Sequence, residues 1–214
     1  MAEIARFRQE YRIIKSIDLE GIIKTLDIIE EDGKIALVLE DFNGVSVKSI
    51  LKKRKKMDIS SFLDIAVKTA ETLGKLHQKD IIHLDIKPHN LLINLKDRRV
   101  KITDFGISIS LTHSNDEIYH PDVIRGTLYY ISPEQTGRMN RIVDYRTDLY
   151  SLGVTFYEML TGTVPFTSKH PLELIYSHIA KEPVPPEQVV SSIPDVLSEI
   201  VLKLMAKNAE DRYQ

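Results

Sequence analysis

The sequence predicts an α+β protein built of two unequal parts, a small piece mixing helix and strand and a larger, mainly helical piece. Three observations predict it. Near the start, Ile4, Phe7, Tyr11, Ile14 and Ile17 recur at helical spacing, so residues 3–18 form an amphipathic helix. Next, "GIIKTLDIIEEDGKIALVLED" carries two β-rich runs around a Glu-Asp-Gly turn, the pattern of a hairpin. From about residue 45 onward, past a short linker "FNG", the periodicity becomes mainly helical.

The elements of the larger piece follow in order. "DISSFLDIAVKTAETLGKLHQKD" sets Phe62, Ile65, Ala66, Thr69, Leu73 and Leu76 along one helical face, with Asp58 as its cap. Two short strands, "NLLIN" and "RVKIT", flank a turn at "LKDR". Residues 104–134 carry little periodicity and read as a long loop, functional or mobile. "DYRTDLYSLGVTFYEMLTG" is apolar on all sides, a buried helix ending at Gly162. "PLELIYSHIAKE" and "IPDVLSEIVLKLMAK" open on proline signals and read as amphipathic helices.

Composition narrows the function. With 43% hydrophobic and 28% charged residues among 214, the chain has the make-up of a globular domain. A formal net charge of −2 gives no global field for nucleic acid or an anionic membrane, and neither is expected as a partner. The absence of cysteine excludes disulfides and thiolate metal sites, and a reducing cytoplasm is the simplest compartment. "MAEIARFRQE" lacks the apolar core of a signal peptide, and no apolar run approaches the roughly 20 residues of a membrane span. The run "KKRKK" at 52–56 is read as a solvated helix end or loop in preference to a nucleic-acid patch.

The chemistry concentrates in "HLDIKPHN", residues 83–90, a polar loop between apolar runs. Asp85 and Asn90 share it, and a strand–turn–strand returns Asp104 to the same side. An amide oxygen and a carboxylate near one point are hard ligands, few in number, suited to Mg²⁺ that also binds substrate phosphates. Asp85 is then free to accept a proton, and Lys87 offers a point charge to a developing phosphate charge. Phosphoryl transfer asks chiefly for such positioning and neutralisation.

"HLDIKPHN…TDFG…GTLYYISPE…DLYSLGVTFYEMLTG" resembles the eukaryotic-type protein kinases, specifically their serine/threonine branch. Asp85, Lys87 and Asn90 match the catalytic-loop pattern, Asp104-Phe105-Gly106 the metal-binding triplet, and Ser132-Pro133-Glu134 the Ala-Pro-Glu triplet. The resemblance implies a bilobal kinase fold, with residues 1–41 a partial N-terminal lobe and 42–214 the C-terminal lobe. It implies ATP and Mg²⁺ as cofactors and a protein hydroxyl on Ser or Thr as acceptor. It implies that Asp85 orients the acceptor, Lys87 contacts the transferred phosphate, and Asn90 and Asp104 hold the metal. Leu39 would be the gatekeeper, Glu40 and Phe42 the adenine hinge, and Leu92 the floor under the ring. Thr127 would line the acceptor-peptide site. Glu10 would pair with an ATP-anchoring lysine, while Ile14, His83 and Phe105, which Gly106 follows, join a regulatory stack. Glu134 would pair with Arg212, and Asp148 would fix the catalytic-loop backbone.

The sequence departs from the pattern in three places. A Gly-rich loop and a strand lysine are not found before Glu10, and the chain stops at "AEDRYQ", so it reads as a fragment of low intrinsic activity with exposed apolar surface on its small lobe. "PEQTGRMNRIVDYRTD", with "EIARFRQEY", is similar to the kinase module of very large bacterial multi-sensor signalling kinases, which implies further signalling domains in the parent. Arg138 and Arg141 in that segment read either as a partner site or as solvated. Finally, Leu84 stands where many kinases carry an arginine that receives an activation-loop phosphate. Control through Ser108, Ser110, Thr112 or Ser114 is therefore not expected to use position 84, although Arg125 lies nearby in sequence. Two other functions compete with the kinase reading: a pseudokinase-like binding module and a small-molecule phosphotransferase of related fold.

Overall fold

The computed structural model describes residues 2–31, 34–106, 108–110, 127–139 and 141–214. Helix α1 (Ala2–Ser16) begins it and buries Ile13 and Ile14 against the core. It stops two residues short of the predicted 18, where the Ser16 hydroxyl donates to the Ile13 carbonyl at 2.7 Å and competes with the helical ladder. Strands β1 (Thr25–Glu31) and β2 (Lys34–Leu39) form the expected antiparallel hairpin, and α1 packs on both. The tip at Asp32 and Gly33 lies outside the described residues. Leu26, Ile29 and Leu39 of this hairpin remain exposed.

The link between α1 and β1 crosses onto the larger lobe. Ile22 bridges Ile102 in parallel, with Ile102 N–H donating to the Gly21 carbonyl at 2.8 Å and Ile23 N–H to the Ile102 carbonyl at 3.0 Å. Ile102 belongs to β6 (Val100–Ile102), the edge of a three-stranded antiparallel sheet with β5 (Leu91–Ile93) and β3 (Val45–Ser46) in the order β3-β5-β6. Two more short strands, β4 (Ile81–Ile82) and β7 (Ile109–Ser110), pair antiparallel and flank the polar loop.

Helices fill the rest. Helix α2 (Val47–Arg54) is capped by Ser46, and α3 (Ile59–His77) by Asp58, whose carboxylate accepts from Ser61 N–H at 2.9 Å. Such a cap is worth about 1 kcal/mol. Helix α4 (Arg146–Thr161) is buried along its whole length, the structural meaning of its unbroken apolar character. It ends at Gly162, φ 84°, where a Cβ would lie 2.8 Å from the Lys55 carbonyl oxygen, so only glycine closes that turn. Helices α5 (Pro171–Ala180), α6 (Pro186–Val189) and α7 (Asp195–Leu204) pack around it. Gly153 lets α4 approach α7: a Cβ there would meet Leu204 and Met205 side chains at 2.8 Å. One apolar core runs from Ile14 of α1 through Leu73 and Leu91 to Met205.

Candidate active site

Strand β4 delivers the chain into residues 83–90 and β5 carries it out, so the loop is clamped at both ends. Asp148, fully buried in the first turn of α4, holds its entry. One carboxylate oxygen accepts from Leu84 N–H at 2.7 Å, the other from His83 N–H at 2.8 Å and from His77 Nε2 at 2.8 Å. A carboxylate only accepts, so His77 is protonated on Nε2. His83 is fully buried, and desolvation lowers its pKa below the ordinary histidine value against the pull of nearby carboxylates. Its partners fix the neutral tautomer: Nε2–H donates to the Thr103 carbonyl at 3.2 Å, and Nδ1 accepts from Asp85 N–H at 3.3 Å.

Within the loop, the sequence-predicted side chains meet. Lys87 Nζ donates to Asp85 Oδ2 at 2.5 Å and to Thr127 Oγ1 at 2.8 Å. Asn90 Nδ2 donates to the Asp85 carbonyl at 2.9 Å and to Oδ2 at 3.2 Å. Thr127 reaches Asp85 Oδ1 only loosely, at 3.3 Å from its N–H and 3.4 Å from its hydroxyl. Asp85 thus has one oxygen firmly fixed beside a cation and the other weakly held. Asp104 follows β6 in a left-handed conformation, φ 67°, one residue beyond Thr103, whose N–H bonds the Asn90 carbonyl at 3.0 Å. Phe105 stacks edge-on against His83 with ring centroids 4.7 Å apart, and its N–H donates to Glu10 Oε1 at 3.1 Å. Ile14 and Gly106 are also buried.

Glu40 and Phe42, the residues expected at the hinge, follow β2 and lead into β3. Glu40 N–H donates to the Lys24 carbonyl at 2.9 Å, and Asn94 Nδ2 to the Phe42 carbonyl at 3.1 Å. Among the described residues, the Glu40 carbonyl and the Phe42 N–H have no hydrogen-bond partner. Leu92 pairs with Ser46 on the sheet beside them and is half-buried, whereas Leu39 is 42% exposed. Further on, Arg212 grips Glu134 with both nitrogens, at 2.6 and 2.9 Å, both residues buried.

Three partnerships had no signal in the sequence. His77 completes the Asp148 cluster. Lys101, buried within β6, bonds Glu40. Burial works to raise the Glu40 carboxyl, but Lys101 and the Lys24 N–H outweigh it and hold the pKa below the usual value. Lys48 of α2 bonds Glu158 of α4 at 2.5 Å, and Tyr130 donates to the other Glu158 oxygen at 2.5 Å.

Leu84 also gains a physical account. Its backbone is left-handed, φ 67°, and its side chain is buried with Ile82 and Val143, against half-buried Ile109 of β7. Its carbonyl accepts from Gln135 Nε2 at 3.0 Å. Of the candidate phosphate acceptors, Ser108 is buried and donates to the His83 carbonyl at 3.1 Å. Thr112, Ser114 and Arg125, and the side chain of Ser110, lie outside the described residues. Arg141 is engaged within the chain, bonding Asn208 Oδ1 at 2.9 Å and Glu210 at 3.4 Å.

These parts define a class. The protein kinase domain family matches residues 1–214, and the chain belongs to it. It is 36% identical over 211 residues to a probable serine/threonine-protein kinase of Clostridium perfringens, which covers 99% of this chain and 30% of that protein. Serine/threonine-protein kinase PknB of Mycobacterium tuberculosis is 33% identical over 213 residues, with 98% and 34% covered. Serine/threonine-protein kinase PrkC of Bacillus subtilis is 32% identical over 211 residues, with 99% and 32% covered. The chain therefore spans about a third of the length of the curated relatives it matches. Among the described residues, no helix is long and apolar enough to cross a membrane.

Proposed function

We propose that this chain is the catalytic core of a serine/threonine protein kinase that moves the γ-phosphate of ATP to a protein hydroxyl. The observation that carries the reading is the Asp85–Lys87–Thr127–Asn90 cluster. Its weakly held Asp85 Oδ1 is the place for an acceptor hydroxyl, which would displace the long Thr127 contacts. As the acceptor oxygen bonds the γ-phosphorus, its proton passes to Asp85 and the bond to the β–γ bridging oxygen breaks, releasing ADP. Lys87 stays against Asp85 and neutralises charge on the transferred group. The family uses ATP and Mg²⁺, and the donor set here fits the ion. Asn90 spends its amide nitrogen on Asp85, which leaves its oxygen available to serve, with the Asp104 carboxylate, as a ligand to the ion. Among the described residues, no three His, Cys, Asp or Glu side chains converge as an all-protein cage, so a cation here would lean on nucleotide oxygens, as Mg²⁺ does. When bound, it supplies charge neutralisation at the phosphates.

The open Glu40 carbonyl and Phe42 N–H suit the donor and acceptor edge of adenine, with Leu92 beneath the ring and Leu39 at the back. On this reading residues 1–41 belong to the small lobe and 42–214 to the large lobe. Glu10 steers the metal-binding triplet through Phe105 and pairs with a lysine on a strand ahead of it. Asp85, Asn90 and Asp104 are all retained, which favours catalysis over a purely regulatory module. The relatives' greater length supports further signalling domains in the parent protein.

The test is transfer of labelled phosphate to a generic basic protein, using a polypeptide that supplies a Gly-rich loop and strand lysine upstream of Met1. Asp85→Asn should lower the rate by roughly a hundredfold or more while leaving the fold intact. Equal rates from parent and variant would overturn the proposal.

A further inference from the structure

We infer that the groove beside α2 is a docking site for an acidic, leucine-bearing segment of a protein partner. The groove holds about 500 Å³ between α2, the first turns of α3 and strand β5, and none of its lining residues belongs to the 83–90 loop. Its wall is apolar: Val45, Ile50, Met57, Ile65, Ile93 and Leu95. Leu95 is 66% exposed at its mouth and Val45 39%, so aliphatic surface is already open to a ligand.

Its charge is one-sided. Lys53, Arg54 and Arg98 line it against a single carboxylate, Asp58. Asp58 is committed to capping α3, and Arg98 is paired with Asp64 outside the groove. Lys53 and Arg54 stand in none of the ion pairs among the described residues, nor do Lys52, Lys55 or Lys56 beside them. The run at 52–56 is thus the end of α2 and the turn after it, where Lys55, φ 65°, leads to buried Met57. Five adjacent cations that form no ion pair among the described residues, with Arg54 acting on Asp58 only through its charge, attract an anionic ligand locally although the chain's net charge is −2.

A polyanion such as nucleic acid would satisfy that rim, but a phosphate backbone has nothing to place on the aliphatic wall. A peptide supplies carboxylates to the rim and leucine side chains to the wall together.

The experiment is fluorescence anisotropy of the chain with a fluorescein-labelled peptide carrying Leu-x-Leu between runs of glutamate. A matched peptide with serine for leucine and a labelled oligothymidylate serve as comparators. The leucine peptide should bind saturably and more tightly than either. Lys53→Gln/Arg54→Gln should weaken it roughly tenfold, and Leu95→Ser, at an exposed position that cannot disturb folding much, several-fold. Absence of saturable binding would overturn the inference. So would equal binding of the serine peptide, tighter binding of the oligonucleotide, or affinity unchanged in folded variants with the parent's melting temperature.

Discussion

The two sides of residue 84 are held by opposite chemistries. Its backbone and that of His83 hang on the buried Asp148 carboxylate, which also holds His77. Its side chain lies with Ile82, Val143 and Ile109, so β7 and the start of the long loop are tied to the 83–90 loop by apolar contact. The polar side tolerates little, because among the described residues the His83 and Leu84 N–H groups have no acceptor other than the Asp148 carboxylate. The apolar side is graded, because packing degrades with volume. The difference teaches that main-chain bonds to Asp148 and apolar packing together hold residue 84 without a guanidinium there.

Removing the polar anchor should have the largest effect. Asp148→Ala leaves His83 N–H, Leu84 N–H and His77 without their acceptor and should cost about 3–5 kcal/mol, read by urea denaturation. A cost below that of Leu84→Ala would break the contrast. Leu84→Ala should come next, at about 2–4 kcal/mol, with unfolding rather than binding as the readout. Leu84→Arg, by contrast, forces a charge into the apolar cluster and should destabilise more than alanine does. An arginine variant as stable as the parent would show that the side chain swings free.

The pH dependence sharpens the polar side. His83 is buried neutral, and His178, bonded through Nδ1 to Tyr150 at 3.0 Å, is held down to about 3, first by burial and then by the Lys207 charge. Both folded pKa values lie below that of the unfolded chain, near 6.5. Below about pH 6.5 the unfolded state therefore binds protons that the folded state refuses, and stability falls as pH falls. Each such histidine contributes a slope of about 1.4 kcal/mol per pH unit, continuing for His178 toward its folded value. His178→Gln should flatten the acid limb by about one proton, measured by thermal unfolding at stepped pH. The smallest effect belongs to Arg141→Ala, whose bonds to Asn208 and Glu210 are exposed, at about 0.5 kcal/mol.

Legibility in the sequence followed the range of the interaction. The 3.6-residue period carried α3 with its Asp58 cap and α4 up to Gly162, and the two β-rich runs gave the hairpin. Asp85, Lys87 and Asn90 were legible because one short loop holds them all. Strands β3, β4 and β7 were not, since two residues carry no period. Nor were Lys101–Glu40, Lys48–Glu158 or His77–Asp148, which join residues 61, 110 and 71 positions apart. Lys101 in particular reads as the polar residue of a half-exposed strand, yet it is buried because Glu40 meets it. Leu84 looked misplaced in a polar loop; its neighbours in the fold, Val143 and Ile109, lie too far along the chain for any local pattern to supply them.

The most direct test is the initial rate of phosphate transfer before and after exhaustive phosphatase treatment, on a polypeptide supplying the Gly-rich loop and strand lysine. With Leu84 anchoring the loop by packing, the rate should be unchanged by treatment. A rate that collapses after phosphatase and returns on preincubation with ATP and Mg²⁺ would contradict the account.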